Sequence, residues 1–455
     1  MKPPLDDGFA PASVANENFR RMANEAGPVP CAIGLERGEG VFTRHDLDLF
    51  PEGHQAAPLN AAMVERTVKF LLWQRGGHTV TIGGPHDAYE HVKQTYSAKG
   101  RLAFDVETVG KRMYGKPIEV VRASPEDVPL STMSSLPIGR NLEGCRIGFD
   151  LGASDRKVAA LIDGEPVFTE ETVWDPRGNS DPEYHYRELK AGIDAAARHL
   201  PKIDAIGGST AGVLVENKIM VSSLFRGVSE RDYPKARDIF LRVAKEYGVP
   251  VEVANDGDVT ALAGAMSLGV GRLLGIAMGS SEAAGYVDAQ GNITGWLNEL
   301  AFAPVDYAVD APADEWSGDV GCGVQYLTQQ AVFRLADRAG IDLHGSDVLA
   351  EKLKIAQHAL ESGHEGARRV WETIGVYCGY ALAHYAEFYD LETVLVLGRV
   401  VSGEGGAIIL EQADRVLETE FPRLASKIKT VLPDDKTRRV GQAVAAASLP
   451  SLEDR

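Results

Sequence analysis

From residue 145 onward, short apolar runs alternate with longer stretches of helical spacing. Cys145-Arg146-Ile147-Gly148-Phe149 and Val158-Ala159-Ala160-Leu161-Ile162, the second closed by the turn Asp163-Gly164, predict two strands that return on one another. Helical spacing covers residues 186–200, 234–247 and the Ala-rich 259–268, with strand-like runs at 203–207 and 251–254 between them. Further strands are predicted at 273–278, 284–287, 394–397 and 427–432, and helices at about 325–339, 367–389, 405–420 and 440–447. Such alternation argues for mixed or parallel sheets covered by helices.

Upstream the pattern is weaker. Residues 1–55 are rich in Pro, Gly and charge, and predict irregular or partly extended chain. Residues 61–74 have helical spacing that stops at Gly76-Gly77. A strand at 78–82, helices at 86–97 and 102–114 and a strand at 117–121 complete a small α/β module. A Pro- and Ser-rich loop at about 123–140 links it to the rest.

Composition narrows the class. A chain of 455 residues predicts two or three domains. Its 44% apolar and 25% charged residues are those of a globular protein with ample core. It has no run of about 18 apolar residues, so no membrane span is expected. The start lacks the apolar segment of a secretory signal. A net charge of −18 disfavours nucleic acid and anionic membranes as partners. Cys31, Cys145, Cys322 and Cys378 form no CxxC pair, so neither a disulfide framework nor a zinc knuckle is expected, and a reducing cytoplasm fits.

Candidate chemistry gathers where strands end. Asp150-Leu151-Gly152-Ala153-Ser154 joins the first two strands. Gly152 lets backbone approach an anion, and turn amides can point at its oxygens. Ser154 adds a hydroxyl, and Lys157 could reach a phosphate as a point charge. Asp150 cannot bind phosphate directly, so it would hold Mg²⁺ through water. An ordinary hairpin with a polar turn is the other reading. Asn255-Asp256 follows a strand and precedes a helix, at the edge where open α/β sheets keep ligands. Asp256 could take a proton from a hydroxyl attacking phosphorus, and Asn255 could bind a neighbouring hydroxyl. Taken alone, helix capping is the simpler reading of the pair. Gly279-Ser280-Ser281 is a second small turn after a strand, and could hold the far side of a polyphosphate. Glu299, in Gly295-Trp296-Leu297-Asn298-Glu299, could accept hydrogen bonds from vicinal hydroxyls, or be a solvated loop acid. Gly398, in Leu397-Gly398-Arg399-Val400-Val401-Ser402, lies between a strand and a helix, where a nucleotide or a plain helix start would serve.

Taken in order, these motifs resemble the sugar kinases of the ROK family, within the hexokinase/actin/Hsp70 ATPase superfamily. The likeness covers about residues 143–450, and Arg439-Val440-Gly441-Gln442-Ala443-Val444-Ala445-Ala446-Ala447 looks like the family's closing helix. It implies an α/β fold with a two-lobed actin-like, ribonuclease-H-like ATPase core and an added small N-terminal α/β module. The implied domains are an N-terminal extension at 1–140, a first lobe at 141–254 joined by the C-terminal helix at about 437–455, and a second lobe at 255–436. ATP and sugar would lie in the cleft between the lobes. The implied function is an ATP-dependent kinase acting on a hydroxyl of a sugar or sugar-like polyol, with ATP and Mg²⁺ as cofactors. A catalytically silent or regulatory sugar-binding protein of the same fold is the alternative. By the same comparison Asp150, Gly152, Ser154 and Lys157 fall on the first phosphate motif, and Gly279, Ser280 and Ser281 on the second. Asp256 falls on the catalytic base, Asn255 and Glu299 on sugar ligands, and Gly398 on the adenosine motif. Ser209-Thr210-Ala211-Gly212-Val213-Leu214 resembles a loop closing the sugar pocket, and Ser223 lies where the family often contacts sugar. A second copy of the chain stays open as a partner.

The departures carry information too. Where the family follows its sugar-binding Glu with Leu-Gly-His, this chain has Leu300-Ala301-Phe302. Phe302 offers neither hydrogen bond nor metal ligand. The family's zinc loop is reduced to Gly321-Cys322-Gly323, so no structural zinc is expected. A substrate other than free glucose follows, such as a glycoside, an amino-sugar or a cyclitol. Glu282 directly after Ser281, and Arg399 in place of a second Gly, keep a donor other than ATP open.

Overall fold

The computed structural model describes residues 1–38, 40–132, 138–433 and 441–452. The chain divides into two units. One comprises Met1–Ser134, Ile276–Ala283 and Trp296–Leu432; the other comprises Ser135–Gly275, Ala284–Gly295 and Pro433–Arg455.

In the first unit, β1 (Val29–Gly38) pairs antiparallel with β2 (Val41–Leu49) and with β3 (Thr79–Gly83), and β3 runs parallel to β4 (Glu119–Ala123). The sheet order is β2-β1-β3-β4. Residues 1–55 are therefore not irregular: they hold the helix α1 (Ala12–Glu25) and the β1–β2 hairpin. Their pattern was faint for a physical reason. α1 buries Ala12, Ser13, Asn16, Phe19 and Ala23, a stripe of mostly small or polar side chains, and β2 is half-buried along most of its length. Helix α2 (Leu59–Arg75) is buried around its circumference, including Glu65, Lys69 and Gln74. Such a helix shows no amphipathic face. The Lys69 ammonium is satisfied by Asp105 at 3.1 Å and Asp319 at 3.2 Å.

In the second unit, β5 (Cys145–Leu151) is buried at every residue. It is sandwiched by β6 (Asp155–Ile162), antiparallel, and β8 (Ala205–Thr210), parallel. The sheet order is β11-β8-β5-β6-β7, with β7 at Glu165–Val173 and β11 at Val251–Asn255. β7 is an edge strand with most side chains in water, so it lacked the apolar alternation that predicts a strand. A short hairpin, β9 (Val213–Val215) with β10 (Lys218–Val221), follows β8. The helix Pro182–Ala197 packs its Tyr186, Leu189, Ile193 and Ala196 against Ile147, Phe149 and Val158 of the sheet. On the sheet also lies the closing helix Gln442–Ala447, so close that a Cβ on Gly148 or Gly207 would overlap the carbonyl oxygens of Ala443 and Ala446. The buried Arg146 guanidinium donates to Pro450 O at 2.8 Å and Ala447 O at 3.4 Å, tying down the end of that helix. Arg439 and Val440, part of the expected closing motif, lie outside the described residues.

A further four-stranded sheet has the order β13-β12-β14-β15, formed by β12 (Leu273–Met278), β13 (Glu282–Val287), β14 (Thr393–Leu397) and β15 (Lys429–Val431). The boundaries between the units fall within β12 and within β13. The helix Leu349–Glu361, which the sequence pattern did not predict, buries only Leu353, Ala356 and Leu360. Among the described residues no helix is long and apolar enough to cross a membrane. The four cysteines are free and buried.

Candidate functional site

The carboxyl ends of β5, β8 and β11 lie in register in the second unit. Asp150 stands opposite Ser209, Leu151 opposite Thr210, and Thr210 opposite Asn255. One edge of the sheet therefore carries Asp150, Ser209, Thr210 and Asn255 together, the edge at which parallel α/β sheets hold ligands. Asp150 is buried, and its carboxyl is pushed up to about 6, chiefly by burial and further by the nearby charges of Asp256 and Asp155, with Lys157 pulling the other way. Asp256 opens the helix Asp256–Leu268. Its carboxyl is also raised by burial, against the backbone N–H of Gly257 that it accepts at 3.0 Å.

Asn255 caps that helix. Its Oδ1 accepts from Gly257 N at 2.7 Å, and its amide donates to Gly212 O at 2.8 Å. Gly212 has φ +124°, and a Cβ there would overlap Val221 O. Capping and site construction are thus one arrangement: the hydrogen bonds that start the helix fix the 209–214 loop beside Asp256. Gln442 of the closing helix adds a contact that sequence reasoning missed, donating to Asp256 O at 3.4 Å.

The 150–157 turn is held by a residue that the motif reading passed over. Gly152 N–H donates to Asp155 O at 2.9 Å, Ser154 Oγ donates to Asp155 Oδ2 at 2.9 Å, and Lys157 Nζ lies 3.6 Å from Asp155 Oδ1. The Gly152 amide is thus engaged within the turn. Lys157 faces Asp150 across the antiparallel pair. Trp174 closes the turn from the side, its Nε1 donating to Gly152 O at 2.8 Å. Ser223 is exposed, and its hydroxyl accepts from Arg177 at 3.4 Å.

In the first unit, Gly279 follows β12. Its N–H donates to Ser281 O at 3.1 Å, and its carbonyl accepts from Gln329 N at 3.0 Å. Ser280 and Ser281 are exposed. Glu282 turns the other way: it is buried, and its Oε1 accepts from the Tyr385 hydroxyl at 3.2 Å. Burial pushes its carboxyl up to about 8; Tyr385 opposes this and the charge of Glu299 adds to it. The repulsion expected next to a phosphate motif is thereby removed from the exposed face of the turn. Gly398, at φ +101°, sits against the last residue of β12, where a Cβ would lie 2.5 Å from Met278 O. Gly279 and Gly398 therefore lie on neighbouring strand ends, and Arg399 is exposed. Glu299 starts the 3₁₀ turn Leu300–Phe302 and is half-buried.

No protein-family model matches this chain, and no curated protein does. Solved structures do match. A ROK family transcriptional regulator, a homolog of the E. coli MLC protein, superposes with a TM-score of 0.54 at 19% identity, over 68% of this chain and 79% of that one. The ROK hexokinase from Thermus thermophilus gives a TM-score of 0.51 at 20% identity, over 66% of this chain and 97% of that one. The fold is that of the ROK family. At these identities the likeness is one of fold. The α/β architecture expected from the sequence agrees with the fold of these structures. About two thirds of the chain takes part in the match.

Proposed function

We propose that this ROK-fold protein is an ATP-dependent kinase that phosphorylates a hydroxyl of a sugar or sugar-like polyol. The observation that carries the reading is that Asp150 and the adjoining Asn255-Asp256 stand together at the carboxyl edge of β5, β8 and β11. Two carboxylates with raised affinity for protons at one sheet edge suit two tasks, one as base and one as counter-charge for a cation. The match to a ROK hexokinase supports the same reading.

In the proposed reaction Asp256 accepts the proton of the acceptor hydroxyl. The hydroxyl oxygen forms a bond to the γ-phosphorus of ATP, the bond from that phosphorus to the β-bridging oxygen breaks, and ADP leaves. Asn255 would orient the sugar, and the family likeness assigns Glu299 as an acceptor for sugar hydroxyls. The Gly152–Ser154 turn with Lys157 would hold phosphate of the nucleotide, and the family likeness assigns Gly279–Ser281 and Gly398 to nucleotide as well. Asp150 fits Mg²⁺, which keeps several waters and needs only one or two carboxylates beside substrate phosphates. The ion would neutralise charge developing on the transferred group.

A regulatory or silent sugar-binding protein is the second reading, favoured by the match to a ROK transcriptional regulator. Phe302 supports it too, since it removes a polar contact. Coupled ADP release across a sugar panel separates the two. Turnover in the wild type that is lost in Asp256→Asn supports the kinase. No ADP release with any sugar, together with a gel shift on DNA, would support the regulator.

A further inference from the structure

The N-terminal segment, whose purpose the motifs leave open, is bonded to the loop that carries Glu299. The last carbonyls of α2 accept from that loop: Trp73 O from Glu299 N at 3.0 Å, and Gln74 O from Asn298 N at 3.0 Å. These carbonyls belong to the last turn of α2, where helix carbonyls lack partners of their own. Around the two bonds the contacts are side-chain specific. The Trp73 indole stacks on Phe302 with ring centroids 4.3 Å apart. The Arg75 guanidinium lies 3.2 Å from the centre of the Trp296 ring. Gln74 Nε2 donates to Phe388 O at 3.0 Å, and the Tyr389 hydroxyl donates to Asn298 Oδ1 at 2.8 Å. Asn298 itself is left-handed, at φ 51°. Such a conformation persists only where surroundings over-determine it.

Phe302 ends the same 3₁₀ turn that Glu299 begins, and its N–H donates to Glu299 O at 3.2 Å. That bond ties the backbone of Glu299 to the residue whose ring Trp73 holds. Gly76 completes the fit: it has φ +81°, and a Cβ there would overlap the Tyr114 hydroxyl and lie 2.9 Å from Leu297 Cγ.

We infer that the end of α2 is a positioning element for Glu299, with Trp73 as its principal positioning residue. In this chain Phe302 is the surface that receives it. The inference rests on Glu299 as the sugar ligand of the proposed function. Misplacing an orienting group by an ångström costs about a hundredfold in productive binding or rate. Full-length Trp73→Ala, Trp73→Phe and Glu299→Gln would be compared with wild type. The measurements are titration calorimetry with D-glucose, methyl β-D-glucoside, N-acetyl-D-mannosamine and myo-inositol, Mg-AMPPNP binding, and amide exchange at 296–303. Trp73→Ala should weaken the best of these sugars about ten- to a hundredfold, as Glu299→Gln does, and speed exchange at Asn298 and Glu299. Mg-AMPPNP affinity should be unchanged, and Trp73→Phe should restore most of the sugar affinity. If Glu299→Gln weakens the sugar but Trp73→Ala does not, the positioning role is overturned and the ligand reading stands. If Glu299→Gln binds as wild type does, the ligand reading itself fails. Exchange needs no sugar: unaltered exchange in Trp73→Ala overturns the positioning role even if none of the four compounds binds.

Discussion

Gly148→Ala adds one methyl group at the centre of β5. Strands β6 and β8 hold the backbone on both sides, so β5 cannot move. The new Cβ would overlap Ala443 O and lie 2.8 Å from Ala443 C and 2.9 Å from Ala447 Cβ. Something must shift, and the closing helix Gln442–Ala447 is the lighter body. Moving it opens the small cluster that Ala443 and Ala447 form with Ala159 and Leu161. Overpacking of this kind costs about 1–3 kcal/mol. Ala in place of Gly returns about 0.4–1 kcal/mol by restricting the unfolded chain. The net loss is roughly 1–2 kcal/mol, and the midpoint of this unit should fall by roughly 2–8 °C. Scanning calorimetry reads it directly. Gly275→Ala is the matched control, because its Cβ would meet nothing nearer than Ala261 Cβ at 3.4 Å. Equal midpoints for the two variants would refute the seating of the helix on this strand. The same displacement would move Gln442 from the Asp256 carbonyl, so lost turnover should accompany the lost stability.

Asp256→Asn should lower ADP release by about 10²–10⁴-fold while leaving the melting midpoint nearly unchanged, and retained turnover would remove Asp256 from the base role. Glu282 has a folded-state pKa of about 8 against an ordinary 4.5, so the folded chain holds the extra proton between those values and stability falls as pH rises through that window. Glu282→Gln should flatten the fall, gaining about 1–3 kcal/mol at pH 8 relative to pH 5 in urea melts; a parallel pH profile would show that Glu282 is not the source. Arg146→Met should cost about 2–4 kcal/mol, since the carbonyls of Ala447 and Pro450 lose their donor, and unchanged denaturant midpoints would count against that clasp.

Much of the candidate site was legible because its residues mark strand ends. Asp150, Asn255-Asp256 and Gly279 each follow an apolar run, and an apolar run is the clearest local trace of a buried strand. Asp155 was equally close to view and could have been found: it is the acid in the same turn, three residues from Gly152. Trp73 left no such signal. It sits in a helix buried on all sides, and nothing local ties residue 73 to residue 299. Ser223, a position carried over from a family pattern, is exposed and accepts from Arg177.

Local sequence determined where the well-buried strands and the clearly periodic helices start, because burial period and capping act over a few residues. It also determined that acids, glycines and hydroxyls stand at the carboxyl ends of those strands. Only the tertiary structure decided which ends share an edge, that Glu282 points inward, and that α2 supplies the carbonyls holding Glu299. Those outcomes depend on contacts between residues tens to hundreds of positions apart. Their cost in chain entropy is offset only by the assembled core, so no short stretch of sequence can encode them.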